Sequence, residues 1–241
     1  MISIIPVHGL PEIREGDDLS AMIVDRIAIE NGDVVVVAQK AVSKVEGRVV
    51  RLDDIEASDR AREIAGAERD PRQIEAILQE SKRVIRERGA LVIAETRHGF
   101  ICASAGVDHS NAPEEGTIVL LPLDPDASAQ GIRERLRELA GVEVGVVVTD
   151  SFGRPFRQGT MDIAIGVAGI PALIDLRGTA DRIGYVLRSS RVAIADEIAS
   201  AADLSRGKAD GVPVVIVRGL SLEGEGTGRD IVISPEHDLF R

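Results

Sequence analysis

The sequence predicts an α+β fold, on three observations. Short runs rich in Val and Ile recur along the 241 residues, bounded by Gly, Pro or Asp. Stretches with apolar residues at helical spacing lie between them. The two kinds of segment do not alternate in the regular rhythm of a doubly wound parallel sheet.

The strand-length runs are residues 2–7, 34–38, 90–94, 117–121, 144–149, 163–167 and 214–217. Their shortness and β-branched content favour strand over helix. A first helix is expected over 18–29, with Leu19, Met22, Ile23 and Ile27 on one face. Two charged helices are expected over 58–65 and 71–88, the second striped by Ile74, Ile77, Leu78, Val84 and Ile85. Another is expected over 128–140, after a proline-rich turn whose Asp126 is suited to cap it. That leaves Asp124 without a structural role, so it stands as a site candidate. The last helix, 191–204, gathers Val192, Ala195, Ile198, Ala199 and Ala202 on one face. Small residues there permit close approach in the core or at a subunit contact, and core burial is the commoner cause of such a stripe. Gly224, Gly226 and Gly228 do not fit dinucleotide-loop spacing, and a flexible loop is expected there.

Composition narrows the function classes. The chain has 29 Lys+Arg against 40 Asp+Glu, a formal net charge of −11, and only 2% aromatic residues. Nucleic-acid binding calls for clustered positive charge and stacking aromatics, so no nucleic-acid partner is expected. No apolar run reaches the ~18 residues of a membrane helix. The N-terminus lacks the basic and apolar regions of a signal peptide. Cys102, the one cysteine, cannot build a disulfide framework within the chain. The expectation is a cytoplasmic protein with no membrane partner. A Walker A loop is absent, since Gly207-Lys208 is followed by Ala209.

Four segments carry candidate chemistry. In the first, a buried strand ends in Asp150-Ser151 and a glycine-containing loop follows with Arg154 and Arg157. A carboxylate and a hydroxyl are the hard oxygen donors that Mg²⁺ or Mn²⁺ takes, commonly shared with phosphate. The arginines are suited to bidentate contacts with phosphoryl oxygens. An Asp-Ser pair after a strand is also ordinary turn chemistry. The second segment groups Asp108, His109, Ser110 and Asn111, as a second metal carboxylate with its neighbours or as a plain polar turn. In the third, a strand runs into Gln39, Lys40, Ser43, Lys44 and Arg48, as an anion-binding edge or a hairpin edge protected by lysines. The fourth is the rigid turn at Asp124.

Taken together these segments resemble the coenzyme F420-0:L-glutamate ligase family over nearly the whole chain. The resemblance rests on Gly9-Leu-Pro, Ser43-Lys44-x-Glu46-Gly47-Arg48 and Ala105-Gly106-x-Asp108-x-Ser110-Asn111. It continues through Asp124-Pro-Asp126, Thr149-Asp150-Ser151-x-Gly153-Arg154-x-Phe156-Arg157, Ala195-Asp196-Glu197 and Val217-Arg218-Gly219-Leu220. It implies one ligase unit over residues 1–241, built as two interleaved α+β subdomains with mixed and antiparallel sheets in an intertwined homodimer. It also implies a GTP- and divalent-metal-dependent ligase that adds L-glutamate to the phospholactate end of a deazaflavin coenzyme precursor, then a γ-linked glutamate. Nucleotide would sit in a groove at the dimer interface.

Position by position, the family's nucleotide contacts fall on Gly9, Leu10, Pro11, Glu12, Gln39, Lys40, Lys44 and Asn111, and on a loop near residues 206–211 that includes Gly207 and Lys208. Its metal ligands fall on Asp108, Asp150 and Ser151. Arg154, Arg157 and Lys44 are the residues expected to carry chemistry. Relatives place a carboxylate at the position of Lys208, and a protonated lysine does not ligate a cation. A second divalent ion would therefore need another group or water. Mg²⁺ or Mn²⁺, a monovalent cation and guanine preference are expectations from the resemblance alone. Some bacterial relatives add a flavin-binding reductase domain; the length here corresponds to about one ligase unit, so no flavin is expected. Two rivals share these residues: an amide or γ-glutamyl ligase for another phosphorylated acid, and a nucleotide-binding sensor without chemistry.

Overall fold

A computed structural model describes residues 1–110, 112–207 and 210–239. In chain order its elements are β1 (Ser3–Pro6), α1 (Leu19–Val24), β2 (Val34–Ala38), α2 (Gln39–Val45), β3 (Val49–Arg51), α3 (Asp59–Ala65), α4 (Pro71–Glu80), β4 (Ser81–Arg88) and β5 (Leu91–Thr96). There follow β6 (Ile101–Ala103), β7 (Thr117–Val119), α5 (Pro125–Ala140), β8 (Gly145–Arg154), β9 (Arg157–Ala168), β10 (Ile174–Asp175), β11 (Arg191–Val192), α6 (Ile194–Asp203) and β12 (Val214–Arg218). The α+β class expected from the sequence is the class observed, with mixed and antiparallel sheets.

A five-stranded sheet in the order β1-β12-β2-β8-β9 forms the frame. Only β2 and β8 run parallel, in register from Val34 opposite Gly145 to Ala38 opposite Thr149. Their paired stretches, residues 34–37 and 146–148, are continuous valine because both faces of the sheet are covered there. Alternation divides their side chains between two cores. Val35, Val37, Val146 and Val148 face α1 and α5, packing with Leu19, Ile23, Ala129 and Leu136. Val34, Val36 and Val147 face α6, where Ala195, Ile198, Ala199 and Ala202 fill the interface. The small-residue face of the last helix is therefore core. A third cluster, separate from these, joins α3, α4 and β5 through Ala61, Ile74, Ile77, Val92 and Ala94, with Ile118 of β7.

Several local expectations change, among them the helix expected over 191–204, which runs from Ile194 to Asp203 after the short strand β11. The helix expected over 71–88 ends at Glu80, and the chain continues as strand β4 paired with β5. Ile74 and Ile77 are fully buried, whereas Val84 and Ile85 are exposed. The apparent stripe thus joined a true helix face to adjacent β-branched residues of an exposed edge strand. The residues from 39 to 45 are helix α2, not a hairpin edge. Asp124, not Asp126, caps α5, accepting from the backbone N–H of Ala127 at 3.2 Å.

Asp126 instead accepts from the backbone N–H of Val167 at 2.9 Å and of Gly228 at 2.6 Å, tying α5 to β9 and to the C-terminal turn. The glycine segment expected as a flexible loop is packed: a Cβ at Gly228 would lie 2.4 Å from the carbonyl oxygen of Ile165. Losing the Asp124 cap should cost about 1 kcal/mol. Asp126→Ala strands two partly buried donors and should cost about 2 kcal/mol or more. Urea unfolding of both variants checks the order, and a larger loss for Asp124→Ala would contradict these assignments.

Candidate active site at the end of the parallel strand pair

The polar site lies where the pairing of β2 with β8 stops. Because Ala38 stands opposite Thr149 in the last pair, Gln39-Lys40 at the start of α2 and Asp150-Ser151, which stay in β8 and pair with β9 alone, come out at the same end of the sheet. Carboxyl ends of neighbouring parallel strands are where open sheets bind ligands, since the two chains depart there in different directions. Here β2 turns directly into α2, while β8 continues into a hairpin with β9.

The third participant, Asp108, arrives from another part of the chain. It forms an isolated bridge with Val119, exchanging backbone hydrogen bonds of 3.0 and 2.7 Å. The turn before it is tight, with Ser104, Ala105 and Gly106 all at positive φ. Only glycine suits position 106, because a Cβ there would lie 2.6 Å from the Leu121 side chain. Lys40 Nζ then meets Asp108 Oδ2 at 2.7 Å and donates to Ser110 Oγ at 2.7 Å. Ser110 also closes on Asp108, through its backbone N–H at 2.7 Å and its hydroxyl at 3.0 Å. Burial would raise the Asp108 carboxyl, but Lys40 and Ser110 together hold it below its ordinary value.

Asp150 has the opposite balance. Burial, with the nearby carboxylates of Asp162 and Asp108, pushes its carboxyl up to about 7, against a hydrogen bond from the Ser151 backbone and the charge of Lys40. Ser151 Oγ donates to Asp162 Oδ1 at 2.6 Å. Thr149 Oγ1 donates to Asp162 Oδ2 at 3.0 Å, and Arg206 Nη1 reaches that same oxygen at 2.7 Å.

This donor chemistry fits a hard divalent cation. The carboxylates of Asp108 and Asp150 and the lone pairs of Ser151 are oxygen ligands, and the raised Asp150 carboxyl marks negative charge that a cation would neutralise. No group of three or more His, Cys, Asp or Glu side chains suited to a metal occurs among the described residues. Substrate oxygens and water would have to complete the coordination, as is usual for Mg²⁺.

The other anticipated residues divide into two groups. Lys44 lies one turn beyond Lys40 on the same helix face and pairs with Glu12 at 2.6 Å. That pair brings the loop of Gly9, Leu10, Pro11 and Glu12 against α2, with Gly9 at φ +75°. Gln39 is buried and accepts from Ser43 Oγ at 2.9 Å, while its Nε2 finds no partner among the described residues. Arg48 does not face the site: its Nε donates to the Leu121 carbonyl at 2.9 Å and it pairs with Glu80.

Arg154 and Arg157 are not brought to the carboxylates. They face each other at the tip of the β8–β9 hairpin, around Phe156, which is 88% exposed at φ +61°. Four residues of strand put Arg154 roughly 13 Å beyond Asp150. Gly207 sits at φ +52° after α6, beside the Asp210 carboxylate. Asn111 and Lys208 lie outside the described residues.

Sequence reading missed Asp162, and with it the partnership that ties Thr149 and Arg206 to that carboxylate. The signal for Asp162 was present: it breaks an otherwise apolar stretch, Met161 to Val167, at a position that pairs directly with Ser151.

The fold and this edge define a class, an α+β protein whose polar site joins lysines of a strand-helix junction to a carboxylate within the neighbouring strand and another from a bridge residue of a distant segment. A family model described as F420-0:Gamma-glutamyl ligase matches residues 9–219. The chain belongs to that family. It is 46% identical over 243 residues to the coenzyme F420:L-glutamate ligase of Methanopyrus kandleri, covering 98% of this chain and 96% of that protein. It is 44% identical to the Archaeoglobus fulgidus protein of that name, covering 100% and 96%. To the Halorubrum lacusprofundi protein of that name it is 49% identical, covering 88% and 85%. No helix among the described residues is long and apolar enough to cross a membrane.

The Asp150 carboxyl has a pH consequence. Its folded pKa lies above the unfolded value, so the native state binds the extra proton and stability falls as pH rises from about 4 to about 7. Metal-free Asp150→Asn should therefore gain on wild type across that window and keep the gain above it. Urea unfolding at pH 4, 6 and 8 measures this; a stability difference independent of pH would refute it.

Proposed function

We propose that the protein is a GTP-dependent ligase that joins L-glutamate to the phospholactate carboxylate of coenzyme F420-0 and then adds a γ-linked glutamate. The observation that carries this is the meeting of Lys40, Asp108 and Asp150 at one sheet edge, in a chain that matches the ligase family almost throughout. A free carboxylate is a poor acyl donor. Transfer of the GTP γ-phosphoryl group to it makes an acyl phosphate and leaves GDP. The glutamate amine then attacks the acyl carbon, phosphate departs, and the amine proton is lost to form the amide.

Phosphoryl transfer is chiefly a matter of positioning and charge neutralisation. Lys40 and Lys44, aligned on one face of α2, would draw the triphosphate along the helix, and Glu12 would yield Lys44 to it. Gly9, Leu10, Pro11 and Glu12 would lie against the nucleotide, with Gln39 beside it; Asn111, Gly207 and Lys208 are further nucleotide contacts of the same proposal. Asp108, Asp150 and Ser151 would hold Mg²⁺ or Mn²⁺. When bound, that cation supplies several kcal/mol of charge stabilisation at the phosphoryl oxygens. A second divalent ion would lean on Ser151 and on water, and a monovalent cation belongs to the same expectation.

Arg154 and Arg157 need a second chain to reach this edge. In a homodimer with intertwined subunits, the hairpin tip of one protomer would enter its partner's site, and the apolar Phe156 would be covered there. The cell interior, where GTP and glutamate are abundant, is the corresponding compartment.

Mass spectrometry of the deazaflavin product after incubation with GTP, Mg²⁺ or Mn²⁺ and glutamate tests the activity. One or more glutamyl additions, with GDP released, is the expected result; no addition to this acceptor would refute it. Lys44→Ala should weaken GTP binding about tenfold, since a charge-assisted contact to phosphate is removed. Unchanged affinity in calorimetry would take Lys44 out of the site. Arg157→Ala and Asp150→Asn should each be inactive alone. Mixed and reassembled one to one, they should recover about a quarter of wild-type turnover, because half the dimers would contain one intact site. No recovery in reassembled dimers would place the arginine in its own chain's site.

A further inference from the structure

The pair formed by Asp162 and Arg206 is nearly inaccessible, at 4% and 7% exposed. Both carboxylate oxygens of Asp162 are engaged. Asp162 Oδ1 takes the Ser151 hydroxyl at 2.6 Å, and Oδ2 takes the Thr149 hydroxyl at 3.0 Å and Arg206 Nη1 at 2.7 Å. Arg206 Nη1 also donates to Thr149 Oγ1 at 2.9 Å. The backbone of Asp162 is held from the α6 side, its carbonyl accepting from Ser200 Oγ at 2.7 Å. A buried ion pair gains little over apolar packing of similar volume, so fold stability alone does not account for it.

Its geometry does account for it. A hydroxyl has one proton and two lone pairs. Ser151 stands directly opposite Asp162 in the β8–β9 register, and its proton is committed to that carboxylate. The lone pairs of Ser151 are therefore left for a ligand, and the hydroxyl cannot turn to donate to one. Arg206, always protonated, supplies the countercharge from the chain segment that follows α6.

We propose that Asp162, anchored by Arg206, is a positioning residue that fixes the Ser151 hydroxyl as an oxygen ligand for the divalent cation of a nucleotide complex. It touches neither cation nor substrate. The pair also links the β8 edge to the segment after α6, so both sides of the nucleotide site share one buried carboxylate. This rests on the function proposed above, in which Ser151 meets a cation.

The test is Mn²⁺ binding in the presence of GDP, followed by electron paramagnetic resonance, for wild type, Ser151→Ala, Asp162→Asn and the double variant. Asp162→Asn should weaken Mn²⁺ binding about 10- to 100-fold, the usual effect of losing an outer-shell partner. In the Ser151→Ala background the same change should weaken it by less than about twofold. Equal losses in the two backgrounds would overturn the proposal, because a general structural role or the lost negative charge acts whether or not the hydroxyl is present. Unchanged Mn²⁺ binding by Ser151→Ala would instead refute the cation role of Ser151 itself. Should Asp162→Asn not fold, Asp162→Asn/Arg206→Met removes both charges and enters the same comparison.

Discussion

The parallel ladder between β2 and β8 is the constraint on which the site depends. Every other pairing in the five-stranded sheet is antiparallel, and an antiparallel neighbour would carry its continuation to the opposite edge. Matching Ala38 with Thr149 sends a lysine-bearing helix and an Asp-Ser hairpin out of one edge together. A one-residue slip would turn both faces of each strand the wrong way and separate the two cores. The valines of β2 and β8 thus do more than fill space: their alternation sets the register that aligns Lys40 with Asp150.

Electrostatics then shape what can enter. The proposed substrates are all anions, and the chain has a net charge of −11. Its remedy is local. Lys40 and Lys44 lie one helical turn apart, each leaning on an acid that an incoming phosphate would displace or rearrange. Behind them, Asp108 pairs with Lys40 and Asp162 with Arg206, while burial and these two carboxylates push the Asp150 carboxyl up against the charge of Lys40 and one backbone hydrogen bond. That imbalance is unfavourable in the empty fold and favourable once positive charge arrives. The site is thus better suited to a cation-bound nucleotide than to a free one.

Much of the frame was legible in the sequence. Valine runs bounded by glycine and proline mark the central strands, because two-faced burial leaves little room for polar residues. The alanine face of α6 marks a close helix-to-sheet contact. Where burial is weak, legibility fails: β4 is exposed along nearly its whole length, so no apolar period distinguishes it from the helix before it. Of the anticipated residues, Lys40, Asp108 and Asp150 do converge, while Arg154 and Arg157 stand apart at the hairpin tip. The supports of the site were not legible. Asp162 and Arg206 are far apart in sequence and meet only through the pairing of β8 with β9 and the return of α6. The roles of Asp124 and Asp126 were exchanged for a related reason, since a cap is a local property while the two backbone donors held by Asp126 come from distant segments.

The position of β12 between β1 and β2 has a consequence for biosynthesis. Among the described residues β1 pairs with β12 alone, and β2 waits for the same partner on that side. Until residues 214–218 emerge, the valine-rich edge of β2 lacks half of its backbone partners and one wall of each core is open. Such distant closure slows folding and prolongs the interval in which sticky edges are uncovered. The frame is complete only once that distant strand slots into the gap between β1 and β2.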